Sequence, residues 1–270
     1  MSTIKSSVNT GVSWIKESVA LFKTAPSKWM LLALAYVMLF VMLPSAPGLQ
    51  WFAFITILIW PIFMAITIAI FRNADRQQTQ KISEIVSSIQ PKVRLLMALG
   101  GLSLLYGALM SFVLNSDIQG LLKLPHSDAA MTESQALAII EKMLPLMLKF
   151  SLLLIPLMMA TWFSPMLIAF NNYTVVKAVK SSIAGSLQYM VALGVAWLLL
   201  TFGIVVLMLV VGIVIGLVSS LVPTLGQLLV PLVVFGCLLL ATALMLAFQY
   251  VSYRDVFRAA SSAYQEQDCV

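Results

Sequence analysis

Six long apolar runs, separated by short polar connections, constrain the fold of this chain more than any other feature. A bilayer core about 30 Å thick needs roughly 20 apolar residues in a helix, because a helix rises about 1.5 Å per residue. None of the runs has Asp, Glu, Lys, Arg or His in its middle. The sequence therefore predicts an all-α polytopic membrane protein, a single membrane domain over residues 1–270 with six transmembrane helices. The spans are expected at about 29–47, 51–71, 93–115, 146–170, 189–218 and 226–250.

The composition agrees with this class of protein. Hydrophobic residues make up 61% of the 270 residues and charged residues 10%, whereas soluble domains average about 45–50% and 25%. The net charge of +6 comes from bases that lie between the apolar runs rather than in one patch. This distribution is typical of topology signals and of contacts with anionic membrane lipids, and it argues against a nucleic-acid partner.

The bases also predict the orientation of the chain. Thirteen of the 16 Lys and Arg residues fall in segment 1–28, in the connections at 72–94 and 171–188, or in the tail at 251–270. The opposite side holds only Lys123, Lys142 and Lys149. The positive-inside rule then places both termini in the cytoplasm.

Three connections on the basic side carry an amphipathic pattern. Each repeats apolar residues at helical spacing, which predicts a cytoplasmic helix with one apolar face. Because each such helix precedes two spans, the chain is predicted to consist of three pseudo-repeated units of amphipathic helix plus helical hairpin. Repeats of this kind occur around the sites of transporters and also in bundles that grew by duplication. The three stripes are Val12, Ile15, Val19 and Phe22; Ile82, Ile85, Val86 and Ile89; and Val175, Val176, Val179, Ile183 and Leu187.

An extracytoplasmic insert is predicted at 116–145, within the second unit. Thr132 and Gln135 have the spacing of a capping box, and Leu137, Ile140 and Leu144 form an apolar stripe. We expect a separate helix lying on the outer membrane surface.

Two motifs resemble a known family. Residues 161–200 contain Trp162-Phe163-Ser164-Pro165 followed by a lysine-serine segment, and Ser252-Tyr-Arg-Asp-Val-Phe257 closes the last span. Both resemble an uncharacterised family of six-helix bacterial inner-membrane proteins, and more distantly the membrane domain of glycerophosphodiester phosphodiesterases. The resemblance implies a bacterial inner-membrane location. It carries no activity over, because the family has none settled and these 270 residues contain no soluble phosphodiesterase domain.

Catalytic chemistry has little basis in the sequence. The one histidine, His126, adjoins a serine and an aspartate, but consecutive residues do not converge as a catalytic triad does. Metal, phosphate-loop and dinucleotide motifs are missing, and Cys237 and Cys269 are expected at different depths. We expect a protein that is not an enzyme, with no cofactor, metal or disulfide.

The basic-side ends of the second, fourth and sixth spans share a pattern, reading IFRNADR, AFNNYTVVK and QYVSYRD. Guanidinium, ammonium and amide donors gathered there would suit a lipid phosphate or a partner protein. The alternative is an interfacial anchor with internal pairing, in which Arg254 contacts Asp75. The candidate contacts are Arg72, Asp75, Asn171, Asn172, Lys177, Lys180, Tyr253, Arg254 and Asp255.

Small residues four apart predict close helix packing, within the chain or against a second copy, at Ser103 with Gly107 and at Gly212 with Gly216. Together these features favour a membrane protein that handles lipid or serves as an accessory component of a membrane complex. The alternative is a small transporter or channel for an amphipathic or neutral solute. Its mid-membrane cavity would be lined by Thr56, Thr67, Ser103, Thr161, Ser164 and Thr201.

Overall fold

The computed structural model describes residues 2–122 and 133–267, and this part of the chain is almost entirely helical, with no β-strand. A π-helical turn (Met38–Met42) and a 3-10 turn (Gln90–Lys92) each follow an α-helix. The α-helices are α1 (Ser2–Thr24), α2 (Pro26–Val37), α3 (Leu43–Ser45), α4 (Phe52–Asp75), α5 (Ile82–Ile89), α6 (Val93–Leu122), α7 (Glu133–Thr161), α8 (Ser164–Asn171), α9 (Val175–Gln188), α10 (Met190–Leu221) and α11 (Pro223–Gln267).

Six helical segments of the described chain are long and apolar enough to cross a membrane. This confirms the predicted all-α architecture with six spans, whereas the superposition of three units stays a prediction. The segments are Pro26–Ser45, Phe52–Asp75, Ile82–Leu122, Ile139–Asn171, Met190–Leu221 and Leu229–Phe257.

The surface helix expected within 116–145 is not a separate element. Helix α6 continues to Leu122, and α7 begins at Glu133 and runs without interruption to Thr161. Nothing in 133–144 ends a helix, because this stretch has neither Gly nor Pro. The Lys149 ammonium group bonds both oxygens of Asp117 at 2.9 Å and so links α7 to α6. His126 and Thr132 lie outside the described residues.

Helix α1 packs against α10 and α11, and its buried face is not the predicted apolar stripe. Trp14 and Ser18 are 0% and 1% exposed, and Gly11 and Leu21 are buried beside them. The four stripe residues are only partly buried. Position 11 needs glycine because an added Cβ would lie 2.6 Å from the carbonyl oxygen of Ala192.

Helix α9 also buries a face that differs from its predicted apolar stripe. Its buried residues are the small ones, Ala178, Ser182, Gly185 and Ser186, while Val176 and Leu187 of the predicted stripe are exposed. Small residues let helix backbones approach closely.

Helix α5 lies between these cases. Ile85 and Ile89 are buried, as expected for an apolar stripe, whereas Ile82 and Val86 of the same stripe are exposed. The helix therefore places only half of its apolar stripe on the bundle.

The protein core lies at the end of the bundle where α1 meets the last turns of α11, here called the terminal end. The largest side chains buried there include Trp14, Trp29, Phe71, Phe163 and Phe248, each at most 1% exposed. In α10 the buried residues are Ala192, Ala196 and Ile215, so most of that helix faces outward.

Close packing within the chain does not occur at the glycines predicted for it. A Cβ added to Gly107, Gly212 or Gly216 would meet nothing within 4 Å, and the hydroxyl of Ser103 bonds the Leu99 carbonyl of its own helix. A close approach does occur at Gly100, where an added Cβ would lie 2.6 Å from the Leu58 carbonyl oxygen of α4. The sequence shows the spacing of small residues but not the direction they face.

Candidate functional site

A group of charged side chains ties together the terminal ends of α1, α4 and α11; we call it the Arg254 cluster. The Arg254 guanidinium contacts Glu17 of α1, Asp75 of α4 at 3.2 Å and the neighbouring Asp255 at 3.0 Å. Its side chain is 20% exposed. One cation thus joins the first amphipathic helix, the end of the second span and the end of the sixth.

Neutral donors complete the Arg254 cluster. The Tyr250 hydroxyl donates to Asp75 at 2.6 Å, and the Trp14 indole N–H donates to Asp255 at 3.0 Å. Each of these carboxylates therefore accepts both a charged and a neutral hydrogen bond.

The charge balance of the Arg254 cluster argues against phosphate binding there. One guanidinium faces three carboxylates. Its Nε, Nη1 and Nη2 nitrogens already contact Asp255, Asp75 and Glu17, in that order. An incoming phosphate would meet net negative charge. The geometry therefore agrees with the alternative in which Arg254 pairs internally with Asp75.

The other predicted contacts lie around the end of α8 and the start of α9. The Tyr253 hydroxyl donates to the Asn171 side chain at 2.7 Å. The Arg72 guanidinium lies over the Phe170 ring at 5.3 Å, and the Lys177 ammonium lies over the Tyr173 ring at 4.2 Å. The structure thus separates seven of the nine predicted residues into an acidic Arg254 cluster and a second, basic and aromatic group.

The other two predicted residues, Asn172 and Lys180, belong to neither group. Asn172 ends α8 in a left-handed conformation, with φ of 55°. Lys180 is exposed and forms no ion pair with any described residue.

The sequence reasoning missed Glu17 and Trp14, which complete the Arg254 cluster. A signal was present, because Glu17 is the only acid of the basic segment 1–28 and lies three residues after a tryptophan. The predicted apolar stripe lies on a different face of α1 from these two residues.

The fourth span is broken inside the bundle, at the Trp162-Phe163 step between α7 and α8. The backbone groups that lose their helical partners at this break are bonded by side chains of other helices. The Ser182 hydroxyl accepts from the Phe163 N–H at 3.0 Å and donates to the Met159 carbonyl at 2.7 Å. The Gln249 side-chain amide donates to the Trp162 carbonyl at 2.7 Å. Non-helical backbone at membrane depth is stable only with such partners.

Beside this break lies a cavity of about 520 Å³, called here the interhelical cavity. Every span except the third contributes to its wall. Its lining is mostly apolar and aromatic, with a few polar groups. The hydroxyls of Thr161 and Thr242 donate to carbonyls of their own helices, at 2.7 and 2.8 Å. The cavity therefore offers an apolar volume with little hydrogen-bonding demand.

The polar residues predicted for a transporter cavity are only partly in this place. Thr161 and Thr201 line the interhelical cavity. Thr56, Thr67, Ser103 and Ser164 do not. Thr56 and Ser103 bond a carbonyl of their own helix, and Ser164 of α8 bonds the Ala160 carbonyl of α7 across the break. Thr67 is fully buried, and its hydroxyl has no partner among the described residues.

A second cavity of about 380 Å³ adjoins the first between α7, α9 and α10. Met158, Trp162 and Trp197 line both cavities and so form the wall between them. Met158 is the adaptable part of this wall, because an unbranched thioether side chain has three rotatable bonds, whereas the Trp162 indole N–H donates to the Ser252 hydroxyl at 3.4 Å.

Comparison with known proteins adds no relative: no family model, no curated protein and no solved structure matches this chain. The family resemblance of the Trp-Phe-Ser-Pro and Ser-Tyr-Arg-Asp-Val-Phe motifs therefore stays a prediction.

Proposed function

We propose that this chain is a non-enzymatic integral membrane protein that binds a lipid-like amphiphile in the interhelical cavity. The observation that carries the proposal is the cavity itself, about 520 Å³ of mostly apolar space walled by five spans. Small-molecule sites have volumes of about 300–1,000 Å³ and combine apolar walls with a few polar groups. A chain surrounded by bilayer meets acyl chains at high concentration, and they are the matching apolar ligand.

The polar part of such a ligand has one evident contact. Gln249 lines the cavity, is 5% exposed, and uses its side-chain NH₂ group for the Trp162 carbonyl. Its carbonyl oxygen accepts no hydrogen bond from the described residues. A hydroxyl or amide of an amphiphile would supply that bond, which is worth more inside an apolar cavity than in water.

Filling the cavity tests this proposal. Ala241 lines the cavity on α11, so Ala241→Phe should displace the ligand. Leu232 lies on the same helix, 66% exposed, and Leu232→Phe is the matched control. Native mass spectrometry after detergent exchange should show a retained lipid on the wild type and on Leu232→Phe but not on Ala241→Phe. Equal lipid retention by all three proteins would mean that the lipid merely coats the surface.

The break in the fourth span favours a second function, transport of an amphipathic or neutral solute. Transporters often place their sites beside discontinuous helices near mid-membrane. Reconstituted protein would then accelerate the movement of a fluorescent amphiphile between vesicle leaflets, and Ala241→Phe would stop it. Movement at the rate of protein-free vesicles would leave binding without transport.

The location proposed is the bacterial inner membrane, with both termini in the cytoplasm. The support comes from the thirteen bases on the terminal side and from the motif resemblance. Single cysteines introduced at exposed Lys16 and at Gly48 should react with an impermeant reagent from opposite sides of the membrane.

Membrane lipids are the proposed partners, and an accessory role in a membrane complex predicts a second membrane protein or a second copy of the chain. Crosslinking in native membranes tests this role. Recovery of the chain alone from every crosslinked sample would remove the accessory role and leave lipid binding.

A further inference from the structure

A polar pocket of about 300 Å³ lies at the terminal end between the last turn of α4, helix α5 and the end of α8; we call it the Arg72 pocket. It is on a different part of α4 from the interhelical cavity and shares no lining residue with it. Its polar lining consists of Arg72, Asn73, Gln78, Gln80 and Ser88. This composition differs sharply from the apolar walls of the interhelical cavity.

Arg72 has no anionic partner in the described part of the chain. Its side chain is half-buried, and its guanidinium lies over the Phe170 ring at 5.3 Å. The nearest acid along α4 is Asp75, whose carboxylate already accepts hydrogen bonds from Arg254 and Tyr250. A partly buried cation without a counter-charge is costly, and an anion from solution or from the membrane would reduce that cost.

The turn after α4 places amide side chains beside Arg72, and one of them is held by a side-chain hydrogen bond. Gln77 takes a left-handed conformation with φ of 53°, and the Gln78 N–H bonds the Asn73 carbonyl at 2.8 Å. The Asn73 side chain donates to the Gln80 side-chain oxygen at 2.9 Å, which fixes that amide with its NH₂ group free. Gln78 adds a second NH₂ group at the same pocket.

Not every polar residue of the pocket can donate. The Ser88 hydroxyl is used by the Ile85 carbonyl of its own helix, at 2.7 Å. The donors that remain are a planar guanidinium fork and two carboxamide groups. Such a set matches the tetrahedral oxygens of a phosphate, to which arginine binds through two parallel hydrogen bonds.

We propose that the Arg72 pocket binds a phosphate-type oxyanion, with the Arg72 guanidinium as the main contact and the Gln78 and Gln80 amides as further donors. A phospholipid headgroup and free phosphate present the same chemistry. The position at the end of a span, above the buried apolar residues Ile85 and Ile89, puts the site at the depth of headgroups. The proposal is independent of the ligand in the interhelical cavity.

Removing the charge of Arg72 tests the proposal against a control in the same turn. Arg72→Gln should weaken binding of short-chain phosphatidylglycerol about tenfold or more, because hydrogen bonds to charged groups are lost. Arg76→Gln removes the same charge from an exposed residue outside the pocket, and should change the affinity by about twofold or less. Purified full-length protein in uncharged detergent is titrated, and ligand binding is followed by thermal shift.

Inorganic phosphate is titrated in parallel to separate the two sources. Competition by phosphate at comparable concentration assigns the pocket to the free anion, whereas binding of the phospholipid alone assigns it to a headgroup. Equal weakening by Arg72→Gln and Arg76→Gln would overturn the proposal in favour of diffuse attraction, as would no weakening by either. If Arg72→Gln does not fold, Gln78→Leu is tested in its place, because Gln78 is exposed. This substitution should weaken binding about threefold. An unchanged affinity would also overturn the proposal.

Discussion

Arg254→Gln is expected to destabilise the protein well beyond the effect of losing an ordinary surface ion pair. The substitution leaves Glu17, Asp75 and Asp255 facing one another without a cation. Exposed pairs contribute about 0.2–1 kcal/mol, and removing one partner of a fully buried pair costs about 3–5 kcal/mol.

The burial of the Arg254 cluster places the cost between these limits. The Arg254 side chain is 20% exposed, and the three acids are 31–40% exposed. We therefore expect a loss of about 2–3 kcal/mol. For a chain of this size the midpoint of thermal unfolding should fall by about 4–10 °C.

The assay is thermal unfolding in a mild non-ionic detergent, followed by tryptophan fluorescence. Lys149→Gln serves as the control, because it breaks a single ion pair with Asp117 in which the lysine side chain is 53% exposed. We expect this control to cost less than about 1 kcal/mol.

A second substitution makes the test sharper, because its sign depends on the cluster. Glu17→Gln should destabilise the wild type by removing a partner of Arg254. In the Arg254→Gln protein it should stabilise by about 1 kcal/mol, since it removes one of three repelling carboxylates. Equal effects of Arg254→Gln and Lys149→Gln, or the same sign for Glu17→Gln in both backgrounds, would refute this account of the cluster.

Two further substitutions test the helix contacts. Ser182→Ala leaves the Phe163 N–H unpaired at the break in the fourth span and should cost about 2–4 kcal/mol of unfolding free energy. The control Ser181→Ala should cost under about 0.5 kcal/mol. Equal midpoints of the two variants in thermal unfolding would contradict the role of Ser182 as a bridge between Phe163 and Met159. Gly100→Ala forces a Cβ against a carbonyl of α4 and should cost about 1–3 kcal/mol, whereas Gly101→Ala has open space and should be neutral or stabilising, so the reverse order in the same assay would show that α4 and α6 pack differently.

The six spans could be predicted because their signal is length and polarity alone. The orientation of the amphipathic helices could not. The sequence predicts an apolar face on α1 and α9 but not which face packs on the bundle. In a membrane an apolar face gains nothing by leaving lipid, so hydrophobicity alone does not decide which side is buried. Helix α1 buries Trp14 and Leu21 beside Gly11, whereas α9 buries the small residues around Ser182.

The candidate site was predictable at the level of which helix ends meet, but not of which charges pair. Arg254 and Asp75 were both identified from the repeated pattern of the span ends, and the structure joins them. Glu17 was missed because a lone acid in a basic segment has no motif. Arg72 and Arg254 look alike in sequence, because no motif shows which acids a base will pair with. In the structure Arg254 is enclosed by carboxylates, whereas Arg72 contacts none among the described residues.

The broken fourth span has a consequence for the order in which this protein assembles. Its Trp162 carbonyl is bonded by Gln249, a residue of the sixth span that is synthesised almost ninety positions later. Until the sixth span enters the membrane, this carbonyl lacks that partner, and an unpaired backbone group in lipid costs several kcal/mol. A nascent chain stalled before Gln249 would therefore hold its fourth span in a different conformation. The break and the interhelical cavity beside it are therefore completed only after the sixth span has been inserted.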